Sequence, residues 1–488
     1  MPLEPTLWSA DDYHRQLLAP VGEVVIGMER TGIPVSLPAL ADIEARMAAR
    51  ALDLRAELAQ WCPRDLNWNS WVQLAGWLHN ASTDEVPGLG MEPSPYCKKG
   101  EVPDDKISTD DRALEWLAGH NEAQRAPLQV LRTLRTVERM GRYARDWQAA
   151  AVHHADGTTR LHPTFGLASD HDTRPGAVTG RFGVKNPALN QVPSNTEAVG
   201  DLGLPKDPAG MKTAFIPPPG CRLIVVDYSQ LEVVILAHLI ALLFGDDDPL
   251  VRKVRAGEDI HGPLARYVFG VLADDLAVKS GVIEWVEKDG KRKERNDFKT
   301  DPRLKMLRNL AKAGIYGNNY GKGEKGFATS VFLPTGEPLG PRRAHLLKAG
   351  LNEFYPGIAQ YQDYVRAIIE RLAYIVTLFG RWQPLPDAKS DRQGLRNRAW
   401  RQALNYPMQG GGQEIMALAL VNIAADRELA EWGFALSLVV HDEIVGWAPE
   451  GVADRCLARV EHHMTNAVRL LCPLKAEGKT GATWKEAK

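Results

Sequence analysis

The sequence has few cysteines and no long apolar run, and these absences narrow the classes of protein that it can encode. Five cysteines are scattered along the 488 residues, and none of them forms a CxxC pair: Cys62, Cys97, Cys221, Cys456 and Cys472. This pattern argues against a disulfide scaffold and a zinc site, and it favours the cytoplasm. No stretch approaches the roughly 18 uncharged apolar residues of a membrane span, and the N-terminus does not resemble a secretory signal. We therefore expect no association with a membrane.

The sequence also lacks an excess of charge of either sign. It has 59 basic and 61 acidic side chains, which gives a net charge of −2. A nucleic-acid-binding protein usually has a basic surface field, so any such binding by this chain must depend on local basic stripes. With 44% hydrophobic and 25% charged residues, the composition is that of a folded globular protein and leaves the function open.

The order of helical and strand patterns predicts about three domains or subdomains. Apolar spacing predicts helices over 39–61 and 66–78 and a long helix over 110–147, with an exposed loop over 82–106. A nearly all-apolar run predicts a buried strand over 220–230, and the span 250–375 is again helical. Two β-prone runs that meet at His-Asp-Glu predict a hairpin over 435–448.

Asp227 ends the predicted buried strand, in the sequence IVVDYSQLE. A carboxylate at this position is held rigidly at the edge of a sheet. Mg²⁺ prefers hard oxygen ligands of this kind, together with waters and substrate phosphates. One aspartate does not define a metal site, and an equally good interpretation is that Asp227 caps the helix that follows, LEVVILAHLI.

Asp442 and Glu443 form an acidic pair at the turn of the predicted hairpin, in VVHDEIV. Hairpin turns more usually carry Asn-Gly or Asp-Gly, so packing alone does not explain this pair. If the hairpin lies beside the strand that ends at Asp227, two carboxylates from distant parts of the sequence meet. Such a pair suits two metal ions that assist an in-line phosphoryl displacement, one at the attacking hydroxyl and one at the leaving phosphate.

The segment RNLAKAGIYGNNYG (308–321) repeats cationic and aromatic side chains every four residues: Arg308, Lys312, Tyr316 and Tyr320. Side chains at this spacing share one helix face, and such a face can hold a triphosphate and stack on a base. The alternative is a solvated basic face above core tyrosines, which is commoner for an arbitrary helix. Three glycines favour the first interpretation, since they weaken a structural helix but permit close approach of a substrate. They are Gly314, Gly317 and Gly321.

In this order, DYSQLE, RxxxKxxxYGxxYG and HDE resemble motifs A, B and C of the family A (polymerase I type) DNA polymerases. The similarity continues in VTGRFGVKNPALNQVP (178–193), EDIHGPLARYVFG (258–270), TLFGRW (377–382) and RQALNYPMQG (401–410). It implies an α+β right-hand fold with an antiparallel palm sheet, helical fingers and a helical thumb. The resemblance divides the chain into an N-terminal lead-in (1–20), a thumb (21–150), a palm in two parts (151–244 and 376–488) and fingers (245–375). The fingers contain an insertion at 272–301.

The resemblance further implies a template-directed DNA polymerase that adds dNTPs to a primer 3′-hydroxyl with two Mg²⁺ ions, for which Mn²⁺ can substitute. The metal ligands would be the carboxylates of Asp227 and Asp442 and the main-chain carbonyl of Tyr228, with Glu443 as a supporting acid. The dNTP would be held by Gln230, Glu232, His261, Arg308, Lys312, Tyr316 and Tyr320. The minor groove of the primer–template DNA, whose hydrogen-bond pattern is nearly independent of sequence, would be contacted by Arg181, Arg401, Asn405 and Gln409.

Three positions refine the substrate that the resemblance implies. Glu232 corresponds to a steric gate that leaves no space for a 2′-hydroxyl, which predicts deoxynucleotides and argues against an RNA-synthesising enzyme. Tyr316 stands where many members have Phe, and its hydroxyl can take the place of a missing 3′-hydroxyl, so we expect ready incorporation of dideoxynucleotides. Val234 replaces the usual arginine, with a consequence that is left open.

Basic residues of the predicted thumb form a stripe that could hold DNA. Arg132, Arg135, Arg139 and Arg142 share one face of the long predicted helix, and Arg145 extends it. Such a stripe would neutralise phosphates of the primer–template DNA. A solvated helix face is an equally good interpretation.

The remaining expectations concern the setting of the polymerase. Only about twenty residues precede the predicted thumb, fewer than a domain needs, so we expect no proofreading exonuclease in this chain. A separate exonuclease or a processivity factor would then be a partner of the polymerase. We expect the protein to be a monomer, located in the cytoplasm of a bacterium or of a phage-infected cell. The insertion contacts DNA or a partner, or is a surface feature without a role. One alternative function is a lesion-bypass or gap-filling polymerase, which the missing exonuclease allows. Another is a non-catalytic DNA-binding scaffold, and the intact motifs disfavour it.

Overall fold

The computed structural model describes residues 7–62, 66–80, 88–93, 108–167, 179–192, 207–270, 285–288, 291–294, 302–331 and 339–488. The loop predicted over 82–106 lies outside these ranges except for 88–93. The insertion of 272–301 also lies outside them, apart from two short strands. No helix of the described residues is both long and apolar enough to cross a membrane.

The N-terminal part of the chain is mostly helical. Its elements are α1 (Ala10–Tyr13), α2 (Ala19–Thr31), β1 (Ile33–Pro34), α3 (Leu37–Leu58), α4 (Trp71–His79), α5 (Asp111–His120), α6 (Arg125–Ala150), β2 (Val152–His153), β3 (Thr159–Leu161), β4 (Thr164–Gly166) and β5 (Gly183–Lys185). α3 and α6 pack against each other along their length, and α5 packs on α6. Ser36, Ser70 and Asp110 cap α3, α4 and α5 by accepting a hydrogen bond from an amide of the first turn.

The helix predicted over 110–147 is two helices, so that prediction was wrong. The 3₁₀ turn Glu122–Gln124 separates α5 from α6. Pro127 lies in the first turn of α6, where a missing N–H is harmless. Within one continuous helix it would remove a hydrogen bond and clash with the carbonyl four residues earlier.

The middle of the chain places one long strand before a set of helices. Its elements are β6 (Cys221–Tyr228), α7 (Leu231–Phe244), α8 (Pro249–Arg255), α9 (His261–Gly270), β7 (Trp285–Lys288), β8 (Lys291–Glu294), α10 (Pro302–Asn319), α11 (Glu324–Ser330), α12 (Gly340–Phe354), α13 (Pro356–Leu372), β9 (Tyr374–Val376) and β10 (Trp382–Pro384). β7 and β8 form an antiparallel hairpin. α7 is apolar and mostly buried, and it packs against α8 and α13.

The C-terminal part completes a four-stranded antiparallel sheet. Its elements are α14 (Gln393–Ala424), α15 (Arg427–Glu431), β11 (Ala435–Val440), β12 (Glu443–Pro449), α16 (Ala453–Thr465) and β13 (Ala476–Gly481). The strand order is β11-β12-β6-β13, so β6 from the middle of the chain lies between two strands from its end. The strand predicted over 220–230, the hairpin predicted over 435–448 and the mixture of helices with an antiparallel sheet are confirmed.

Candidate active site

The four-stranded sheet brings Asp227 and Asp442 together. β12 pairs with β6 so that Glu443 lies opposite Asp227, and Asp442 precedes Glu443 in the two-residue turn between β11 and β12. The Tyr228 amide donates a hydrogen bond of 3.0 Å to the Asp442 carbonyl oxygen. This bond fixes the turn beside the end of β6, so two carboxylates from distant parts of the sequence meet there.

Asp227 does not cap the helix that follows it. α7 begins at Leu231, and Gln230 occupies the cap position without a side-chain hydrogen bond to the helix. Gln230 is exposed and has a φ of 56°, so the chain turns sharply between the strand and the helix. Asp227 itself is the seventh residue of β6 and half-buried. The helix-cap interpretation of Asp227 was therefore wrong.

The surroundings of the two aspartates oppose their ionisation. Burial raises the pKa of Asp442 to about 6 against the opposing Arg181 guanidinium, and the carboxylates of Glu232 and Asp227 add to the rise. Burial and then the Glu443 carboxylate also raise the pKa of Asp227, while the Lys488 ammonium opposes the shift. A pair of carboxylates with raised pKa values is stabilised in its charged form by a bound cation. The site therefore has the electrostatics of a cation site.

The donor set at this position fits a magnesium ion that shares its shell with a substrate. No group of three His, Cys, Asp or Glu side chains within the described ranges is arranged to hold a metal ion. Two carboxylates suffice where waters and substrate phosphates supply the other ligands, as is usual for Mg²⁺. The Tyr228 hydroxyl donates to the Met464 carbonyl at 2.7 Å, so Tyr228 could serve a metal only through its main-chain carbonyl.

Glu232 lies at the centre of the site. Its side chain is buried, and its carboxylate accepts hydrogen bonds from Arg181 and from the Tyr320 hydroxyl. The Gln409 amide nitrogen lies 3.4 Å from the same hydroxyl. The space lined by Arg181, Glu232, Gln409 and Asp442 is only about 10 Å³, which is room for about one water molecule. These side chains must therefore separate before a nucleoside could enter.

α10 carries Arg308, Lys312 and Tyr316 at intervals of four residues, so the predicted shared face is confirmed for these three. The helix ends at Asn319, and Tyr320 follows it, with its amide donating to the Tyr316 carbonyl at 3.2 Å. Lys312 is exposed, and its ammonium lies 5.8 Å from the centre of the Tyr316 ring. The cationic and aromatic groups of this face are thus close to one another.

Arg308 is engaged within the protein. Its Nε and Nη2 donate to the two carboxylate oxygens of Asp259 at 2.9 and 2.7 Å. Asp259 also accepts hydrogen bonds from the amides of His261 and Gly262, at 3.1 and 3.2 Å. Burial opposes ionisation, but these partners outweigh it and lower the pKa of Asp259 to about 2. A ligand that uses Arg308 must therefore compete with Asp259.

His261 is buried without hydrogen-bond partners. Its side chain is 1% exposed, and neither ring nitrogen has a partner. Burial, followed by the cation of Arg308, lowers the pKa of His261 to about 4, so the ring is neutral at neutral pH. Buried polar atoms are rarely left unpaired, and a phosphate oxygen between His261, Arg308 and Lys312 would accept a hydrogen bond from the ring N–H.

The glycines of the α10 segment serve helix packing. A Cβ atom on Gly314 would lie 2.8 Å from a methyl group of Leu347 in α12, and one on Gly317 would lie 2.8 Å from the Phe327 ring in α11. The interpretation that these two glycines make space for a substrate was therefore wrong. Gly321 has a φ of 72°, a left-handed conformation that favours glycine.

α14 presents Arg401, Asn405 and Gln409 on one face, because they lie four residues apart. Arg401 is exposed, and the other two are half-buried. Gln409 reaches the central site through Tyr320, as described above. The Asn405 side-chain oxygen is buried without a partner. The structure thus connects Arg181 directly to Glu232 and Gln409 to Glu232 through Tyr320, while Arg401 and Asn405 lie nearer the start of α14.

Two arginines of the predicted DNA-binding stripe hold α6 to its neighbours. Arg132 is buried, and its guanidinium pairs with Asp111 at 2.7 Å and with Glu115 at 3.6 Å. Arg135 donates to the main-chain carbonyls of Thr109 and Trp68. These partners within the protein disfavour the predicted DNA contact of Arg132 and Arg135, which stays a prediction. Arg139, Arg142 and Arg145 are exposed, and their contact with DNA stays a prediction.

Sequence reasoning missed four residues at the site: Asp259, Lys212, Trp484 and Lys488. Asp259 lies just before a helix, where a short acidic side chain commonly caps the first turn, so a usable signal existed. The other three gather around Glu443, whose Oε1 accepts a hydrogen bond of 2.8 Å from the Trp484 indole. They come from segments before β6 and after β13, and no spacing in the sequence indicates their contact.

Comparisons with known proteins match almost the whole chain to DNA polymerases. A family model described as DNA polymerase family A matches residues 38–280 and 294–486. The thermostable DNA polymerase I of Thermus caldophilus is 27% identical over 490 residues, which cover 99% of this chain and 49% of that protein. DNA polymerase I of Mycobacterium bovis is 28% identical over 472 residues, which cover 96% of this chain and 44% of that protein. The chain spans about half the length of such relatives.

A solved structure adds a comparison in three dimensions. The chain is similar to the POL domain of Pol1 from M. smegmatis, in complex with DNA primer-template and dNTP, with a TM-score of 0.75 and 26% identity. The match covers 98% of this chain and 71% of that chain.

Proposed function

Because the chain belongs to DNA polymerase family A, we propose that it is a template-directed DNA polymerase that adds dNTPs to a primer 3′-hydroxyl. The predicted family and the predicted right-hand polymerase fold are confirmed. The observation that carries the proposal is the meeting of Asp227 and Asp442 at one end of the sheet, next to Glu232 and Arg181. We assign residues 21–150 to the thumb, 151–244 and 376–488 to the palm, and 245–375 to the fingers.

Asp227, Asp442 and the Tyr228 carbonyl would hold two Mg²⁺ ions, or Mn²⁺ in their place. When bound, the ions would lower the pKa of the primer hydroxyl and stabilise charge on the transferred phosphate. The chain itself holds the two carboxylates in fixed positions. Asp227 is fixed within a paired strand, and Asp442 is fixed by the Tyr228 amide at 3.0 Å.

Arg308, Lys312 and His261 would bind the triphosphate. The cations of Arg308 and Lys312 would offset charge that develops during transfer, and the unpaired ring N–H of neutral His261 supports a hydrogen-bond acceptor at this position. Arg308 would exchange its bidentate pair with Asp259 for phosphate oxygens. Asp259 therefore acts as the internal competitor that keeps Arg308 in position when no nucleotide is bound.

Glu232 would select the sugar. Its side chain is buried and held by Arg181 and Tyr320. A carboxylate placed against the sugar leaves no space for a 2′-hydroxyl, which favours dNTPs over ribonucleotides. Gln230 and Tyr316 would complete the nucleotide pocket. Arg181, Arg401, Asn405 and Gln409 would contact the minor groove, where hydrogen-bond acceptors occur at every base pair.

A primer-extension assay with separate dNTP and rNTP pools tests the proposal. The wild-type chain is expected to extend with dNTPs alone. Asp442→Asn should lower the rate by about a thousandfold or more, because charge stabilisation at a transferred phosphate is usually the largest catalytic contribution. Glu450→Gln is the matched control, since Glu450 is an exposed carboxylate at the other end of β12.

Circular dichroism should give the same spectrum for all three proteins. Extension by Asp442→Asn at the wild-type rate would refute the proposal. Binding of primer–template DNA without any extension by the wild type would favour a non-catalytic scaffold instead.

A further inference from the structure

A cluster of charged and aromatic side chains surrounds Glu443. The glutamate is buried, and the fully buried Trp484 donates its indole N–H to Oε1 at 2.8 Å. The Lys488 ammonium pairs with Oε2, and the Lys212 ammonium lies 3.6 Å from Oε1. Both carboxylate oxygens of Glu443 therefore have partners within the protein.

Three separate segments of the chain build this cluster. The Lys212 ammonium lies 4.1 Å from the centre of the Trp484 ring, which is a cation–π contact. The Trp484 ring meets that of Phe215 edge to face at 5.0 Å, and the Trp484 amide donates to the Phe215 carbonyl at 3.1 Å. Glu443 cannot turn towards a substrate without breaking buried, charge-assisted contacts, which is costly.

Lys488 links the cluster to Asp227. Its ammonium lies 4.0 Å from Oδ2 of Asp227 and also contacts Glu443. These two acids are directly opposite each other in the pairing of β6 with β12. The Lys488 ammonium therefore contacts the carboxylates of Asp227 and Glu443, which lie opposite each other on neighbouring strands. Asp442 instead lies beside Arg181 and Glu232.

We propose that Lys488 is a positioning residue that serves as a tethered counter-cation of Asp227, anchored by Glu443, and that a divalent ion must displace it. The inference rests on the proposed function, because it takes Asp227 as a metal ligand. Without nucleotide, the ammonium neutralises Asp227 and lowers its affinity for a divalent ion. A bound triphosphate brings more oxygen ligands and negative charge, which favour the ion over the ammonium. Glu443 is then the anchor of Lys488 and not an acid at the primer end.

Mn²⁺ binding to the full chain, without DNA or nucleotide, tests the inference when free Mn²⁺ is followed by electron paramagnetic resonance. Lys488→Gln removes the charge and should bind Mn²⁺ about tenfold more tightly, because a like charge near the ion is lost. Lys488→Arg keeps the charge and should bind as the wild type does. The matched control Lys253→Gln removes an ammonium of α8 that pairs with Glu258 at 2.9 Å, outside the sheet that carries Asp227, and it should change nothing.

Wild-type Mn²⁺ affinity in Lys488→Gln would overturn the inference, and so would an equal gain in Lys253→Gln. Lys488→Met, a second neutral variant, repeats the test if circular dichroism shows that Lys488→Gln does not fold. Asp227→Asn in the Lys488→Gln background should abolish the gained affinity, and persistence of the gain would overturn the inference.

The primer-extension assay separates this inference from the proposed function. If Asp442→Asn loses extension but Lys488→Gln leaves Mn²⁺ affinity unchanged, only the counter-cation role of Lys488 fails. If Asp442→Asn extends primers at the wild-type rate, the proposed function itself fails.

Discussion

The Tyr316 hydroxyl is a polar group on the face of α10 that a nucleotide would approach. The Tyr316 and His261 rings lie 6.4 Å apart. Burial, followed by the carboxylate of Glu232, raises the pKa of Tyr316 to about 12, so the hydroxyl stays protonated and can donate a hydrogen bond at neutral pH. In a complex with a dideoxynucleotide, this hydroxyl can replace the missing 3′-hydroxyl of the substrate.

Tyr316→Phe is therefore expected to increase the preference for dNTPs over ddNTPs, measured as the ratio of their kcat/KM values. The increase should be about tenfold or more, since one hydrogen bond of this kind contributes roughly 1.5 kcal/mol. Tyr364→Phe, at an exposed position of α13, is the control and should keep the wild-type ratio. An unchanged ratio in Tyr316→Phe would show that this hydroxyl does not determine sugar selection.

Glu414 is a fully buried carboxylate in α14, away from the proposed metal ligands. It accepts hydrogen bonds from the Thr377 hydroxyl and the Phe379 amide, and the Arg381 guanidinium lies 3.9 Å away. Burial outweighs these partners and raises the pKa of Glu414 from 4.5 to about 7. Between these two values the folded protein binds a proton that the unfolded chain does not. The free energy of unfolding therefore rises as the pH falls from 7 towards 4.5, and above pH 7 the ionised group is destabilising.

Glu414→Gln should remove this pH dependence, because the amide stays neutral. Between about pH 5.5 and about pH 8, the wild-type protein should lose about 2 kcal/mol of stability relative to the variant. Urea unfolding of both proteins at the two pH values measures the difference. Parallel changes in the two proteins would mean that Glu414 does not titrate in this range.

At the scale of single elements, α6 shows how tertiary neighbours change the meaning of a sequence pattern. Four arginines at helical spacing predict one basic face, and that geometry is correct. α5 buries Arg132, and the carbonyls of Thr109 and Trp68 before α5 and α4 accept hydrogen bonds from Arg135, while Arg139 and Arg142 remain exposed. One stripe in the sequence thus contains a structural part and a part that is open to DNA.

Charge reversal at Arg139 and Arg142 together should weaken primer–template binding without lowering the thermal stability. Each lost phosphate contact reduces the slope of log Kd against log salt concentration by about 0.9, so a reduction of about 2 is expected. Arg132→Ala is the contrasting variant, and it should lower stability by about 2 kcal/mol while leaving the salt slope unchanged. An unchanged slope in the double variant would assign these two arginines to a solvated surface.

Helix caps, the buried strand and the hairpin were predictable because each depends on neighbours within a few residues. Ser36 and Ser70 begin helices by bonds to amides three residues later, and the apolar run of β6 requires burial in any fold. The glycines of α10 show the limit of such reasoning. Gly314 and Gly317 are explained by Leu347 and Phe327, whose positions depend on how separate helices pack.

At the scale of the whole molecule, motif order predicted the family, the fold class and the meeting of the two aspartates, because shared ancestry preserves those residues. The surroundings of Glu443 could not be predicted in this way. Lys212, Trp484 and Lys488 converge on it from segments at both ends of the palm. Only the three-dimensional arrangement of the sheet shows that they are neighbours, since local periodicity carries no information about contacts between distant segments.

The position of β6 between β12 and β13 also determines when, during synthesis of the chain, the palm sheet of the proposed polymerase can form. Both neighbours of β6 are synthesised after the helices α7 to α14, which separate them from β6 in the sequence. A nascent chain can therefore form its N-terminal and middle helices while both edges of β6 still lack a partner strand, a state in which strands are prone to aggregate. Throughout this period Asp227 is present in the chain without Asp442 beside it. The two aspartates therefore meet only after β12 has been synthesised, and β6 gains its second neighbour only when β13 follows.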